Sequence, residues 1–177
     1  DDAGNSVTDN NASFMVDTEV PTIVTISPSW GSVLNAANDN NDGIITVTTT
    51  GVENDQEVEI VLNHSGGTYT GTVTANSCPV TISASELQAL VHGTDYTLTV
   101  TVADVAGNSV TDNNANFMVD TEVPTIVTIS PSWGSILNAA NDDVDGTVTV
   151  ATTGVEDGQT VTIILNSVTY ISSPITT

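Results

Sequence analysis

The 177-residue sequence contains no lysine and no arginine, so its 22 aspartates and glutamates are opposed only by two histidines and the formal charge is −22. With no basic side chain, nothing in the chain can neutralise phosphates or release counterions, which excludes a nucleic-acid partner. Adhesion to anionic lipid through a basic patch is excluded in the same way. Lysine-dependent catalysis, a phosphate grip by Arg or Lys, and an intramolecular Lys–Asn isopeptide all fall for want of the residue. The single cysteine, Cys78, permits no internal disulfide. Aromatics are only 4% of the chain, so any core is aliphatic. No apolar run approaches the ~18 residues of a spanning helix, so no membrane insertion is expected. Asp1-Asp2-Ala3-Gly4 has neither the basic nor the apolar region of a signal peptide. No nucleophile–base or acid–base constellation is visible, and the expectation is a protein that is not an enzyme.

What the sequence does have is a long internal repeat. Residues 3–39 read AGNSVTDNNASFMVDTEVPTIVTISPSWGSVLNAAND, and residues 106–142 repeat them with two changes, Ser13/Asn116 and Val33/Ile136, at an offset of 103 residues. The register continues through Asp42-Gly43 and Asp145-Gly146, Gln56 and Gln159, and Leu62 and Leu165. It degrades where Asn63–Tyr69 faces the shorter Asn166–Tyr170. A period near 100 is too long for a solenoid unit and suits a tandem array of whole small domains. The expected division is a closing strand of one repeat over 1–20, a complete repeat over 21–120, and the opening strands of another over 121–177. The segment therefore reads as a piece of a longer chain.

Within the complete repeat, apolar and polar residues alternate in short runs bounded by turn residues, the signature of half-buried strands. In Thr94–Val102, Tyr96, Leu98, Val100 and Val102 share one face. In Gln56–Leu62, Val58, Ile60 and Leu62 point inward and Glu57 and Glu59 outward. Further strands are expected over Thr22–Ser27, Ile44–Thr50, Thr68–Thr74, Val80–Ile82 and Ala115–Val119. Asp42-Gly43, Gly66-Gly67 and Ala106-Gly107-Asn108 supply turns. The one helical signal is Ser85–Leu90, with Ser83 or Ser85 as cap and His92-Gly93 as terminator. Seven strands in about 100 residues describe an all-β protein of tandem immunoglobulin-like antiparallel β-sandwich domains.

The order LNAAND…DG, GVENDQEVEIVLN, SASELQALVHGTDYTLTVTVADVAGNSV and VDTEVP resembles the bacterial Ig-like repeats of giant surface adhesins, among them biofilm-associated proteins and long repeats-in-toxin adhesins. The resemblance covers essentially the whole chain, and its most specific part is the DxAGN…VDTxxP junction. It implies an extracellular structural extender on a bacterial cell surface, holding a terminal binding module away from the cell. It also implies that neighbouring repeats are the chain's partners, that calcium stiffens the junctions between them, and that a host or surface ligand belongs to another part of the protein.

The acids are expected to serve those junctions. Asp104 and Asn108 flank the turn after Val102, and Asp120 and Glu122 close the last strand before Val123-Pro124; all four are expected at one pole of the sandwich. The corresponding set is Asp1, Asn5, Asp17 and Glu19. The loops 38–43 and 141–146, with Asp39, Asp42, Asp142 and Asp145, are expected either to face a junction or to form sites of their own. Calcium takes six to eight oxygens from carboxylates, amides and carbonyls, which these residues supply. Acids in turns ordinarily do no more than solvate them. Here like charges crowd without a cationic side chain, which costs folding free energy unless a cation intervenes.

Other features read more plainly. Trp30 and Trp133 are expected to cover an edge or the linker rather than bind glycans, His64 and His92 to be solvated, and Cys78 to be a small buried apolar residue. An alternative role is a filament subunit, in which the leading strand of one copy completes the truncated domain of another by strand addition.

Overall fold

The computed structural model describes residues 2–64 and 67–176. The chain divides into two compact units, Asp1–Asp120 and Thr121–Thr177.

In the first unit the alternating runs become eight strands and one helical turn: β1 (Thr22–Pro28), β2 (Val33–Asn35), β3 (Gly43–Thr50), β4 (Glu57–Leu62), β5 (Thr68–Thr72), β6 (Ser77–Ile82), α1 (Ala84–Leu87), β7 (Asp95–Ala103) and β8 (Ser109–Asp120). They form two sheets, ordered β1-β3-β6 and β2-β8-β7-β4-β5. All pairings are antiparallel except β2 with β8, which is parallel. The chain passes from the first sheet in β1 to the far edge of the second in β2, then returns in β3. That alternation between two antiparallel sheets is the immunoglobulin-type sandwich.

The two inner faces carry the period-2 apolar residues. Ile45 and Val47 of β3 and Val80 and Ile82 of β6 meet Val58, Ile60 and Leu62 of β4 and Leu98, Val100 and Val102 of β7, all essentially without solvent contact. Cys78 lies in this core, fully buried. Phe117 of β8 stacks on Tyr96 at a centroid distance of 5.7 Å, and Trp30 meets Phe117 edge-on at 5.1 Å. Trp30 therefore plugs one end of the core. Edge pairing with other chains is discouraged by Pro79 within β6 and by a register shift in β1 between Ile23 and Thr25.

Three sequence expectations need correction here. Gly43 is not a turn residue: it opens β3, and the Trp30 ring lies so close that a Cβ on Gly43 would sit 2.3 Å from it. The helical turn starts one residue earlier than expected, because Ser83 accepts from the Glu86 N–H while the Glu86 side chain accepts from the Ser83 N–H, a closed capping box. Residues 5–20 form no strand; no counterpart of β7 is hydrogen-bonded beside them, and a lone strand has no ladder to join. Of the expected Gly66-Gly67 turn, Gly66 lies outside the described residues.

The second unit contains β9 (Thr125–Pro131), β10 (Val148–Thr153), β11 (Thr162–Leu165) and β12 (Val168–Ile171), paired as β9–β10 and β11–β12. β9 and β10 repeat the pairing of β1 with β3. The β11–β12 hairpin turns on Asn166 and Ser167, both at positive φ (47° and 65°), the two-residue geometry that suits strand twist.

Candidate metal centre

The β7–β8 connection is built by Asp104 itself. The Asp104 N–H donates to the Asn108 carbonyl (3.0 Å), and Gly107, at φ +91°, donates back to the Asp104 carbonyl (3.1 Å). The Asp104 carboxylate accepts from the Asn108 N–H through Oδ1 and from Asn108 Nδ2 through Oδ2, both at 2.8 Å. The residue is only 4% exposed. The Asn108 side-chain hydrogen bond, against the opposing effect of burial and with help from the N–H groups of Asn108, Gly107 and Ala106, holds the carboxyl below the ordinary aspartate range.

The β3–β4 connection meets this turn. Glu53 Oε2 accepts from the Val105 N–H at 3.1 Å, tying the two loops together. Gly51 adopts φ +74°, with Pro21 close enough that a Cβ would stand 3.4 Å from its Cα. A third segment arrives from before β1: Asn108 Nδ2 reaches the Asp17 carbonyl at 3.4 Å. Together Asp17, Glu19, Gly51, Val52, Glu53 and Asp104 line a cavity of about 280 Å³. Four acidic residues from three separate stretches of chain therefore line one space.

This grouping differs from the one expected. Asp104 and Asp120 do not share a pole: β7 and β8 form an antiparallel hairpin with the Asp104 turn at its closed end and Asp120 at its open end. Twelve residues of β8 at about 3.4 Å each separate them by roughly 40 Å. Asp104 instead meets Asp17 and Glu19, which precede β1. Glu53 was not expected at all; its only sequence signal is a charge at the same distance after β3 as Glu156 keeps after β10. Asp1 lies outside the described residues, and Asn5 is exposed and does not line the cavity.

At the opposite pole, Asp120 pairs across from Asn35 and its Oδ1 lies 3.6 Å from His92 Nδ1. His92 is thus set against a carboxylate rather than simply solvated. Asp120 Oδ1 is buried without a hydrogen bond. The loop containing Asp39 and Asp42 also lies at this pole and is organised by its own polar groups. Asn35 Oδ1 accepts from the Ala37 N–H and Asn38 Oδ1 from the Asn35 N–H. Asp42 Oδ1 accepts from the Ala84 N–H at 2.9 Å, and Asn40 Oδ1 from Gln88 Nε2. The Asp42 carboxylate is therefore engaged at the start of α1, and Asp39 is nearly buried. In the second unit the loop with Asp142 and Asp145 repeats the same turn bonds, Asn141 Oδ1 to the Asn138 N–H and Asn138 Oδ1 to the Ala140 N–H. It follows the Pro131 end of β9, away from Glu122, so within its unit it does not face back. Glu122 instead lies against Gly154, where a Cβ would be 2.9 Å from its Oε1. Glu122 and Gly154 are the repeat counterparts of Glu19 and Gly51.

The donor set of the first cavity suits a hard cation of calcium size: carboxylates, with backbone carbonyls beside them, and no soft ligand. Its oxygens do not converge on one point. Among the described residues no three His, Cys, Asp or Glu side chains stand in a metal-holding arrangement.

No protein-family model and no curated protein matches the chain. Among solved structures it is similar to a Ca2+-stabilized adhesin that helps an Antarctic bacterium reach out and bind ice, at 29% identity and TM-score 0.47, over 89% of this chain and 39% of that one. It is also similar to a bacterial immunoglobulin-like domain from the M. primoryensis ice-binding adhesin, at 28% identity and TM-score 0.40, over 54% of this chain and 96% of that one. A third likeness is to a 1.5-MDa bacterial ice-binding adhesin studied for its retention on the host cell surface, at 24% identity and TM-score 0.49, over 89% and 51%. The chain thus spans about two fifths of the first of these.

Proposed function

We propose that this chain is a structural extender from a bacterial surface adhesin, in which calcium bound where one repeat enters the next stiffens the array. The supporting observation is the cavity at the leading pole of the first unit. There the tail of the preceding repeat (Asp17, Glu19) meets two loops of the following sandwich (Gly51–Glu53 and Asp104). Four acidic residues line this space, and the sequence offers no basic side chain to balance them. A calcium ion held by Asp17, Glu19, Glu53 and Asp104 would supply that charge and tie three segments into one body. Short linkers leave interdomain motion as the default, and Pro21 in the linker limits it only at one bond. Asn108 acts as a positioning residue, holding the Asp104 carboxylate through two hydrogen bonds. Within the second unit Glu122 and Glu156 repeat Glu19 and Glu53 in sequence and are assigned the same role.

Thermal unfolding across a calcium titration tests this. Binding to the folded form alone adds about 2.7 kcal/mol at a hundredfold excess over Kd. Glu53→Gln should move the titration midpoint to higher calcium by on the order of tenfold or more, since charge count sets affinity in such sites. Asp142→Asn, in a loop distant from Glu122 within its unit, should leave the midpoint where it is. A melting temperature indifferent to calcium would remove the proposal.

A further inference from the structure

The loop that brings Glu53 to the cavity is pinned from two sides. On one side Glu53 Oε2 accepts from the Val105 N–H at 3.1 Å, at the turn that presents Asp104. On the other side stands the next residue, Asn54, which does not line the cavity. Its Oδ1 accepts from the Ala75 N–H at 2.9 Å. Ala75 and Asn76 make the turn between β5 and β6, both at positive φ (49° and 63°). That turn is itself fixed, because the Asn76 carbonyl accepts from the Thr49 N–H at 2.9 Å. The backbone supplies a further tie beside Asn54: the Asp55 N–H donates to the Val73 carbonyl and the Val73 N–H to the Gln56 carbonyl, each at 2.9 Å.

The second unit builds the same loop with different side chains. Residues 51–56 read GVENDQ and residues 154–159 read GVEDGQ, so Asp157 stands for Asn54 and Gly158 for Asp55. Asp55 and Gly158 both adopt the left-handed conformation, at φ +70° and +86°. The Gly158 N–H donates to the Ile175 carbonyl at 2.9 Å and the Ile175 N–H to the Gln159 carbonyl at 2.8 Å, the bonds that join Asp55, Val73 and Gln56 in the first unit. Asn and Asp differ in charge but share an acceptor oxygen at Oδ1. What the two copies keep at this position is therefore the capacity to accept a hydrogen bond.

We infer that Asn54 is a positioning residue for the cation of the first cavity. It fastens the Glu53 loop to the β5–β6 turn, so that the Glu53 side chain stands beside the Asp104 turn before an ion arrives. The inference rests on the calcium reading above and extends that site to a turn which lines none of it. A loop that must be ordered on binding weakens the binding, and one already ordered does not. Groups that hold metal ligands in place change affinity by about 10–100-fold when removed. The bond from Asn54 to Ala75 is exposed to solvent, which sets the effect at the lower end of that range.

The Val105 N–H touches Glu53 directly and gives a probe specific to this cavity. Its NMR resonance is followed through a calcium titration of the 177-residue chain, of Asn54→Ala and of Asn54→Asp. Asn54 and Ala75 are both exposed, so neither substitution removes core packing, which circular dichroism in chelator verifies. The expected result is a Val105 midpoint raised by about tenfold in Asn54→Ala, and a midpoint at or below the parent value in Asn54→Asp, which retains the acceptor. Equal midpoints in the parent and Asn54→Ala overturn the inference and leave the calcium site standing. A midpoint raised as much in Asn54→Asp also overturns it, because loss of the Ala75 bond is then not the cause. A Val105 resonance indifferent to calcium in the parent chain removes the reading of the cavity itself, and this inference with it.

Discussion

At the scale of single residues, two side chains concentrate the physics of this molecule. Gly43 has no room for a Cβ, because the Trp30 ring lies on it, and Gly146 and Trp133 repeat the arrangement. Gly43→Ala should cost about 1–3 kcal/mol by forcing Trp30 off its place, read as a lower melting temperature together with a change in tryptophan emission. Asp104 is the other. Its carboxyl is held below the ordinary aspartate value chiefly by the Asn108 side chain. A depressed value means that its contribution to stability is complete above the ordinary range and is lost as pH falls through the folded-state value. Asp104→Asn should therefore show a shallower loss of stability on the acid side than the parent, in unfolding curves taken from neutral pH downward; parallel curves would contradict the assignment. Neither role was legible beforehand. Asp-Gly before an apolar run is the commonest mark of a turn, and only the spatial neighbour reveals that the glycine serves a tryptophan.

At the scale of elements, alternation carried most of the architecture. The inward faces of β4 and β7 were readable residue by residue, since each has one wholly apolar side and one side of Thr and Glu. β2 was not, because three residues cannot display a period, and its existence depends on β8 beside it. The pole error has a similar cause. Periodicity assigns faces, whereas the end at which a loop lies depends on counting strand direction through every preceding crossing. The helical turn α1 offers a direct test of local chemistry. Ser83 closes the capping box with Glu86, and Glu86 also accepts from Tyr69 on β5. The Ser83 bonds, more than the one from Tyr69, hold the Glu86 carboxyl below its usual range, while burial, ahead of the charge and hydrogen bond of Glu86, pushes the Tyr69 hydroxyl up. Ser83→Ala should destabilise the first unit by about 1 kcal/mol in denaturant unfolding, with Ser83→Thr retaining most of the difference.

At the scale of the whole molecule, a charge of −22 with no basic side chain sets self-repulsion against compactness. Repulsion falls with added salt whatever the ion, but a junction held by chelation responds to divalent metal at fixed ionic strength. Small-angle scattering should show the maximum dimension growing and the distance distribution sharpening when calcium replaces chelator at constant ionic strength. Magnesium at the same concentration should do less, because it holds its water and demands six ligands in strict geometry. The acidic composition is visible in the sequence; that Glu53 lies beside the Asp104 turn is not, because only the fold brings them together.

The cavity of the first unit draws its lining from three stretches, Asp17 and Glu19 ahead of β1, Glu53 after β3 and Asp104 after β7, and each of these acids has a counterpart at an offset of 103 residues. Exchange between near-identical copies at that offset inserts or removes whole periods and so preserves the spacing of these acids.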